Sequence, residues 1–142
     1  MYKKGATITF KIYATEAVNN VTLQANLATE FVTDIVVEPT GEYAWKVVVN
    51  GTSINYEPIY FGDELNKETN ASPFKMYTLA TNISLKKGEN IIQFVTDNEN
   101  PAIGGTTSAF APMMDCIKLT NTGTVSLSYH PVYDNLWYGE LS

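Results

Sequence analysis

The stretch Ile83-Ser-Leu-Lys-Lys-Gly-Glu-Asn-Ile-Ile-Gln-Phe94 has the pattern of two β-strands joined by a tight turn. Apolar and polar side chains alternate as far as Leu85, and a second apolar run begins after Asn90. A period of two places alternate side chains on opposite faces of a strand. The polar residues in between, with Gly88 among them, are typical of a turn. The sequence therefore predicts a hairpin whose turn spans residues 86–89.

The same alternation continues outward from this hairpin in both directions. It predicts strands at residues 6–14, 21–28, 31–37, 43–49, 52–54, 76–85, 90–96, 114–120 and 124–129. Asn50-Gly51 predicts a second hairpin, because both central positions of a type I′ turn need positive φ angles. No amphipathic segments of helical length alternate with the strands, which excludes a parallel α/β fold. The predicted fold class is all-β, an antiparallel β-sandwich.

Composition excludes several classes of partner. The chain has 142 residues, the usual size of one domain. Its nine basic residues are all lysine, and 15 acidic residues bring the net charge to −6. An acidic chain without arginine is a poor match for nucleic acid or for an anionic membrane surface. No apolar run approaches the ~18 residues of a membrane span, so no membrane insertion is expected.

Metal and catalytic chemistry have few residues to draw on. Cys116 is the lone cysteine and His130 the lone histidine, which excludes an internal disulfide and a zinc site built from these residue types. Cys116 is predicted to be a small buried hydrophobe in a strand. Two carboxylates could hydrolyse a glycoside, but no carboxylate pair stands in a recognisable setting. The chain is therefore not expected to be an enzyme.

Four stretches carry a family resemblance. Residues 83–94 combine Leu, two further residues, Gly, x, Asn, x and Ile, and residues 111–119 read Ala-Pro-Met-Met-Asp-Cys-Ile-Lys-Leu. These resemble a hairpin and the final strand of carbohydrate-binding modules of families 6 and 35 and their galactose-binding-like relatives. Residues 8–25 and Val47-Val-Val-Asn-Gly51 look like the opening strand pair and another hairpin of these modules, in the right order. The resemblance implies a jelly-roll sandwich that binds a glycan or polysaccharide.

This chain departs from the family pattern at three places. The modules often have an Asn two residues before the final Asp, where this chain has Met113. They tend to have a Trp before the hairpin, where the nearest aromatic residues here are Phe74 and Tyr77. Their usual first strand carries Glu residues that hold a structural calcium, and this chain starts after that point. Calcium is the one cofactor that the resemblance suggests.

Two long segments, residues 55–73 and 97–113, contain the side chains that sugar recognition uses. An aromatic face packs on the C–H side of a pyranose, and planar amides or carboxylates bind its hydroxyls. The carbohydrate-binding candidates are Tyr56, Tyr60, Phe74, Tyr77, Asn98 and Asn100. The strand order predicts that both segments lie at one end of the sandwich. The alternative is that the tyrosines cover the sandwich edge and that the polar residues are solvated turns.

Asp97 and Asp115 are the metal-ligand candidates, because carboxylate oxygens suit calcium. Asp97 begins the polar stretch 97–100, which also fits a solvated turn. Asp115 opens a strand between apolar residues and could instead accept hydrogen bonds from the backbone or a loop.

The leading hypothesis is a non-catalytic carbohydrate-binding module of a larger secreted or cell-wall-attached bacterial protein. Residues 1–129 would form the module, and residues 130–142 a tail that packs on the sandwich or leads to a next domain. The module would hold the other domains of its polypeptide near a glycan outside the cell. The alternative is a structural or adhesin sandwich of a surface protein with no sugar site. The two hypotheses differ at the loops, where a binder needs an exposed aromatic platform.

Overall fold

The computed structural model describes residues 4–29, 36–61, 72–98, 111–121 and 123–130. These ranges contain ten strands. The strands are β1 (Thr7–Ala14), β2 (Val18–Ala28), β3 (Val36–Val37), β4 (Trp45–Val49), β5 (Thr52–Ile54), β6 (Ile59–Tyr60), β7 (Lys75–Leu85), β8 (Gly88–Thr96), β9 (Met113–Thr120) and β10 (Leu127–His130). These ranges contain no helix, and therefore none that could span a membrane. Most of the strand predicted at residues 31–37 lies outside the described residues, as does the tail after His130.

The strands form two facing sheets, which confirms the antiparallel β-sandwich. One sheet has the order β10-β1-β8-β4-β5 and the other the order β7-β2-β9. A small third sheet pairs β3 with β6. Every strand pair in the three sheets is antiparallel.

The core lies between the two larger sheets and is built from alternate residues of each strand. Strand β2 contributes Val21, Leu23, Ala25 and Leu27, all fully buried. The five-stranded sheet contributes the large aromatic side chains: the Trp45 and Phe94 ring centroids are 5.1 Å apart, and Phe10 meets Phe94 edge-on. Burial of this apolar area is the main contribution to the stability of the sandwich.

The sandwich has two different ends. Strands β1 and β2, β4 and β5, and β7 and β8 are joined by short turns at one end, which we call the turn end. The longer segments, residues 29–44, 55–74 and 97–112, leave and re-enter the sheets at the opposite end, which we call the loop end. The strand ends that flank the two predicted long segments lie at this one end, as expected.

Two asparagine side chains hold the turn end together. Asn50 and Gly51 have φ angles of 49° and 86°, which confirms the predicted turn. The fully buried Asn90 donates to the carbonyl oxygens of Lys86 at 2.9 Å and Gly88 at 3.1 Å. Its Oδ1 accepts from the Asn50 amide at 2.8 Å and from the Lys86 N–H at 2.9 Å. The two hairpins predicted from sequence are thus bonded to each other.

An extra residue in β9 changes which side chains reach the core. Asn26 of β2 pairs with Cys116 and Leu27 with Met114, so Asp115 is a bulge between them. The prediction that Cys116 is buried is wrong, because it lies on the outer face of the three-stranded sheet and is exposed.

The last predicted strand, residues 124–129, begins later than expected. The Asn121 side chain accepts from the Gly123 N–H at 3.0 Å and donates to the Val125 carbonyl at 3.1 Å. These bonds hold the chain in a turn, and β10 starts only at Leu127.

Candidate functional site

Large apolar side chains are exposed at the loop end. Of the four that the described residues expose, Tyr60, Phe74 and Met76 lie there, with exposed fractions of 44%, 50% and 38%. Tyr60 points outward because its neighbour Ile59 in β6 is buried in the core. Phe74 comes directly before β7. Exposed rings of this kind can pack against the apolar side of a ligand.

Planar polar groups stand beside one of these apolar side chains, Met76. Met76 lies opposite Asn26 in the pairing of β7 with β2, so both point to the outer face of the three-stranded sheet. The Asn26 amide donates to the Asp115 carboxylate at 3.1 Å. Two residues further along the same two strands, the Gln24 amide donates to the Thr78 hydroxyl at 3.1 Å. The face therefore offers an amide and a carboxylate next to an apolar platform.

Phe74 directly precedes β7 and Asp115 belongs to β9, so the structure places both at the same three-stranded sheet, although the sequence singled them out for different roles. The structure adds Asn26, which sequence reasoning missed. Asn26 is one of the polar residues that alternate with apolar residues in the strand predicted at 21–28. This alternation was the feature of the sequence that could have pointed to it. Only the pairing of β2 with β9 shows that it meets Asp115.

Tyr56 does not fit its expected role as a sugar platform. Only 7% of it is exposed, and its ring meets Trp45 edge-on at 6.4 Å between centroids. Its hydroxyl donates to the Trp45 carbonyl at 2.5 Å. Burial raises the pKa of Tyr56 well above its ordinary value, and the negative charge of Glu38 adds to the effect. Tyr56 fastens the start of the long segment to β4.

Tyr77 lies on the inner face of β7 near the loop end, where it packs against the core. It pairs with the buried Ala25 and therefore lies on the opposite face from Met76. Its ring meets Phe61 edge-on at 5.4 Å between centroids, and the Lys75 ammonium lies 5.5 Å from the ring centroid. A sugar contact by Tyr77 stays a prediction.

Asn98 is a structural anchor rather than an exposed sugar ligand. It is 5% exposed, and its amide donates to the Ala44 carbonyl at 2.9 Å. The backbone N–H of Asp97 donates to the same carbonyl at 3.0 Å. The expected role of Asn98 is corrected for this reason, and Asn100 lies outside the described residues.

The two metal candidates are engaged with different partners. The Asp97 carboxylate lies 3.1 Å from the Lys46 ammonium, whereas Asp115 accepts from Asn26. Asp97 follows β8 of the five-stranded sheet, and Asp115 belongs to β9 of the other sheet. Within the described ranges, no group of three His, Cys, Asp or Glu residues could hold a metal ion. Calcium binding stays a prediction.

Comparison with known proteins gives matches among solved structures alone. No protein-family model matches the chain, and no curated protein matches it significantly. A family 35 carbohydrate-binding module from an environmental isolate is 20% identical with a TM-score of 0.53, and the match covers 91% of this chain and 74% of that one.

Two further structures match at similar levels. The family 35 module of Abf62 from Cellvibrio japonicus is 18% identical with a TM-score of 0.50. A family 35 module termed Xyl-CBM35, in complex with a disaccharide that contains glucuronic acid, is 17% identical with a TM-score of 0.50. Each match covers 87% of this chain and 71% of the other. At these identities the likeness confirms the predicted fold.

Proposed function

We propose that this chain is a non-catalytic carbohydrate-binding module whose site lies at the loop end around Phe74. The observation that carries the proposal is the exposed Met76 side chain opposite Asn26, whose amide bonds to Asp115, with the exposed Phe74 ring directly before the same strand. An aromatic face together with a planar amide and a carboxylate is the combination that pyranose recognition needs. The solved structures with the same fold are themselves carbohydrate-binding modules, which supports the proposal.

Each group has a distinct part in binding. The Phe74 ring packs against the C–H face of a sugar, and the Tyr60 ring, which is also exposed at the loop end, is a second surface for an apolar contact. Asp115 accepts hydrogen bonds from sugar hydroxyls, and the Asn26 amide both donates and accepts. All four groups are partly open to water, so the affinity of one module is modest. Several modules or binding sites on one polysaccharide would raise it.

The absence of catalysis is part of the proposal. The Asp115 carboxylate is bonded to an amide, Asn26, rather than set opposite a second carboxylate. Glycoside hydrolysis needs two carboxyl groups on either side of the scissile bond. The module would therefore act by holding other domains of a secreted or cell-surface protein close to a glycan.

The test is a glycan array combined with affinity gels that contain plant, fungal and bacterial polysaccharides. Phe74→Ala should weaken retention about tenfold, equivalent to ~1.4 kcal/mol of lost stacking. Tyr13→Ala is the matched control, because Tyr13 is 39% exposed but lies at the turn-end side of β1. It should leave binding unchanged, and both variants should keep the stability of the parent.

Two other outcomes would redirect the proposal. If no glycan retains the folded chain, the structural or adhesin sandwich is supported instead. If Tyr13→Ala weakens binding as much as Phe74→Ala, the site lies elsewhere on the molecule. The same gels run with calcium and with a chelator test whether binding depends on this ion.

A further inference from the structure

A groove of about 410 Å³ lies between β9 and the β1–β10 edge of the five-stranded sheet. Its apolar lining consists of Phe10, Ile12, Ile117, Leu119 and Leu127. The groove exists because a sheet of five strands faces a sheet of three, so β9 does not extend over β10. Apart from the buried Ile12, these side chains are only half-buried, and a contiguous apolar surface of this kind is expected to be covered by another segment.

Among the described strands, β9 lies at the edge of its sheet, and this edge is unsuited to pairing with a second copy of the chain. It carries the bulge at Asp115 and the exposed charge of Lys118. Bulges and charged side chains are the features by which sheet edges avoid pairing with other molecules. The occupant is therefore to be sought within the same chain.

The chain leaves its last described strand at the wall of this groove. Leu127 and Ser128 of β10 line it, and within the described ranges the pairing of β10 with β1 ends at Lys11 opposite His130. The first strand continues beyond that point to Thr7. The 12 residues that follow His130 include the large apolar side chains Val132, Tyr133, Leu136, Trp137 and Tyr138. An extended segment of this length reaches ~40 Å, more than the groove requires.

Hydrogen-bonded and non-hydrogen-bonded pairs alternate along β1 and β10, and this alternation can accommodate the proline at position 131. The Thr15 N–H donates to the Ser126 carbonyl at 3.1 Å, so the neighbouring pair of Ala14 and Leu127 is not hydrogen-bonded. The alternation makes the pair formed by Phe10 and position 131 a non-hydrogen-bonded one as well. Pro131 would lose no ladder bond there, since the backbone nitrogen of that position points away from β1.

We propose that residues 131–134 extend β10 along β1 and that the remaining tail covers the groove, with Trp137 as its largest apolar side chain. In this register Tyr133 stands opposite Ile8, a core-facing residue that is only half-buried. Val132 stands opposite Thr9, on the outer face of the sheet. The proposal requires no glycan contact, although Asp115 of the proposed glycan site also lines the groove.

Amide hydrogen exchange tests the strand extension. The Thr9 N–H points to the side of β1 on which residue 132 would lie, so it should exchange slowly in the full chain and fast in a chain that ends at His130. The control is the Tyr13 N–H, whose partner residue Ser128 is present in both chains. Equally fast exchange of Thr9 in both chains, with Tyr13 protected, would overturn the proposal.

Point variants test the covering of the groove without shortening the chain. Tyr133→Lys should lower the melting temperature and increase the binding of a hydrophobic dye, whereas the matched Val132→Lys should change neither. The tryptophan fluorescence of the parent minus that of Trp137→Phe gives the emission of Trp137. A soluble quencher should reduce this emission only weakly, because the tail shields Trp137 in the groove. Quenching as strong as that of free tryptophan would contradict the proposal. So would a dimer in light scattering whose tails exchange between copies.

Discussion

The two ends of this sandwich use the same residue types in opposite ways. At the turn end, the Asn90 amide is fully buried and all its polar atoms are bonded to nearby turns. At the loop end, the Asn26 amide sits on an open face beside Met76 and Asp115. An asparagine at one end specifies the fold, and one at the other is available to a ligand.

The difference follows from what burial costs. A buried amide must satisfy each donor and acceptor inside the protein, since each one left unsatisfied costs about 1–3 kcal/mol. Asn90 meets this requirement in one arrangement of the two hairpins, so it selects that arrangement. Asn26 faces water, where other partners are available at little cost. The amide at the turn end therefore contributes to the stability of the fold, whereas the amide at the loop end is open to a ligand.

Of the variants proposed here, Asn90→Ala should cause the largest loss of stability. It removes the acceptor of the Asn50 amide and the Lys86 N–H, and two turn carbonyls lose their donor. The free energy of unfolding should fall by about 3 kcal/mol in a urea titration, because several buried groups lose their partners together. Glycan retention by the protein that remains folded should be unchanged.

Asn26→Ala is the matched substitution at the other end. It should lower the free energy of unfolding by less than ~1 kcal/mol, since its bond to Asp115 is exposed. It should weaken glycan retention instead. Equal losses of stability for Asn26→Ala and Asn90→Ala would remove the distinction between the two ends.

Tyr56→Phe should destabilise the fold less than Asn90→Ala and more than Asn26→Ala, and it tests whether the loop end also has a structural part. It deletes the hydroxyl that donates to the buried Trp45 carbonyl and keeps the ring in place. The free energy of unfolding should fall by about 1–2 kcal/mol, with glycan retention unaffected. If Tyr56→Phe lost glycan retention while its free energy of unfolding stayed equal to that of the parent, Tyr56 would belong to the binding site after all.

The pH dependence of this variant supplies a second readout. The pKa of Tyr56 is raised by burial, so the folded state holds its proton at pH values where the unfolded state has lost it. The contribution of protonated Tyr56 to the free energy of unfolding is complete below the ordinary tyrosine pKa of 10.0 and decreases as the pH rises above it. Between pH 9 and 11, the parent should lose more stability than Tyr56→Phe. Parallel curves would contradict the assignment.

Lys46→Ala should have the smallest effect. Lys46 and Asp97 form an ion pair at 3.1 Å, but both side chains are more than a third exposed. Exposed ion pairs contribute about 0–1 kcal/mol and are weakened by salt. The melting temperature should change by no more than a degree or two. A larger loss that disappears in high salt would show that Asp97 holds the loop end more firmly than its exposure indicates.

Local patterns in the sequence were enough for the strands and turns. The alternation in residues 21–28 placed Val21 and Leu23 on the buried face correctly, because side chains of a strand must alternate. Asn50-Gly51 predicted its turn, because the required φ angles are a property of these two residues. These features depend on neighbours along the chain.

The candidate site was predicted less well, for a different reason. Tyr56 and Phe74 look alike in sequence, as aromatic residues in or beside a long loop. One is buried against Trp45 and the other is half exposed. Which of the two packs on the core depends on where the loop crosses the sheets, and the local pattern contains no information about this. The same reason explains why Asn98 was misplaced.

The sequence by itself determined the strand class and the two hairpins, because backbone periodicity and turn geometry are local properties. Only the tertiary structure decided that Asn50 bonds to Asn90, that Asn26 meets Asp115, and that an apolar groove separates β9 from β10. These features depend on strand register and on unequal sheet widths, which arise when residues far apart in the chain are packed together.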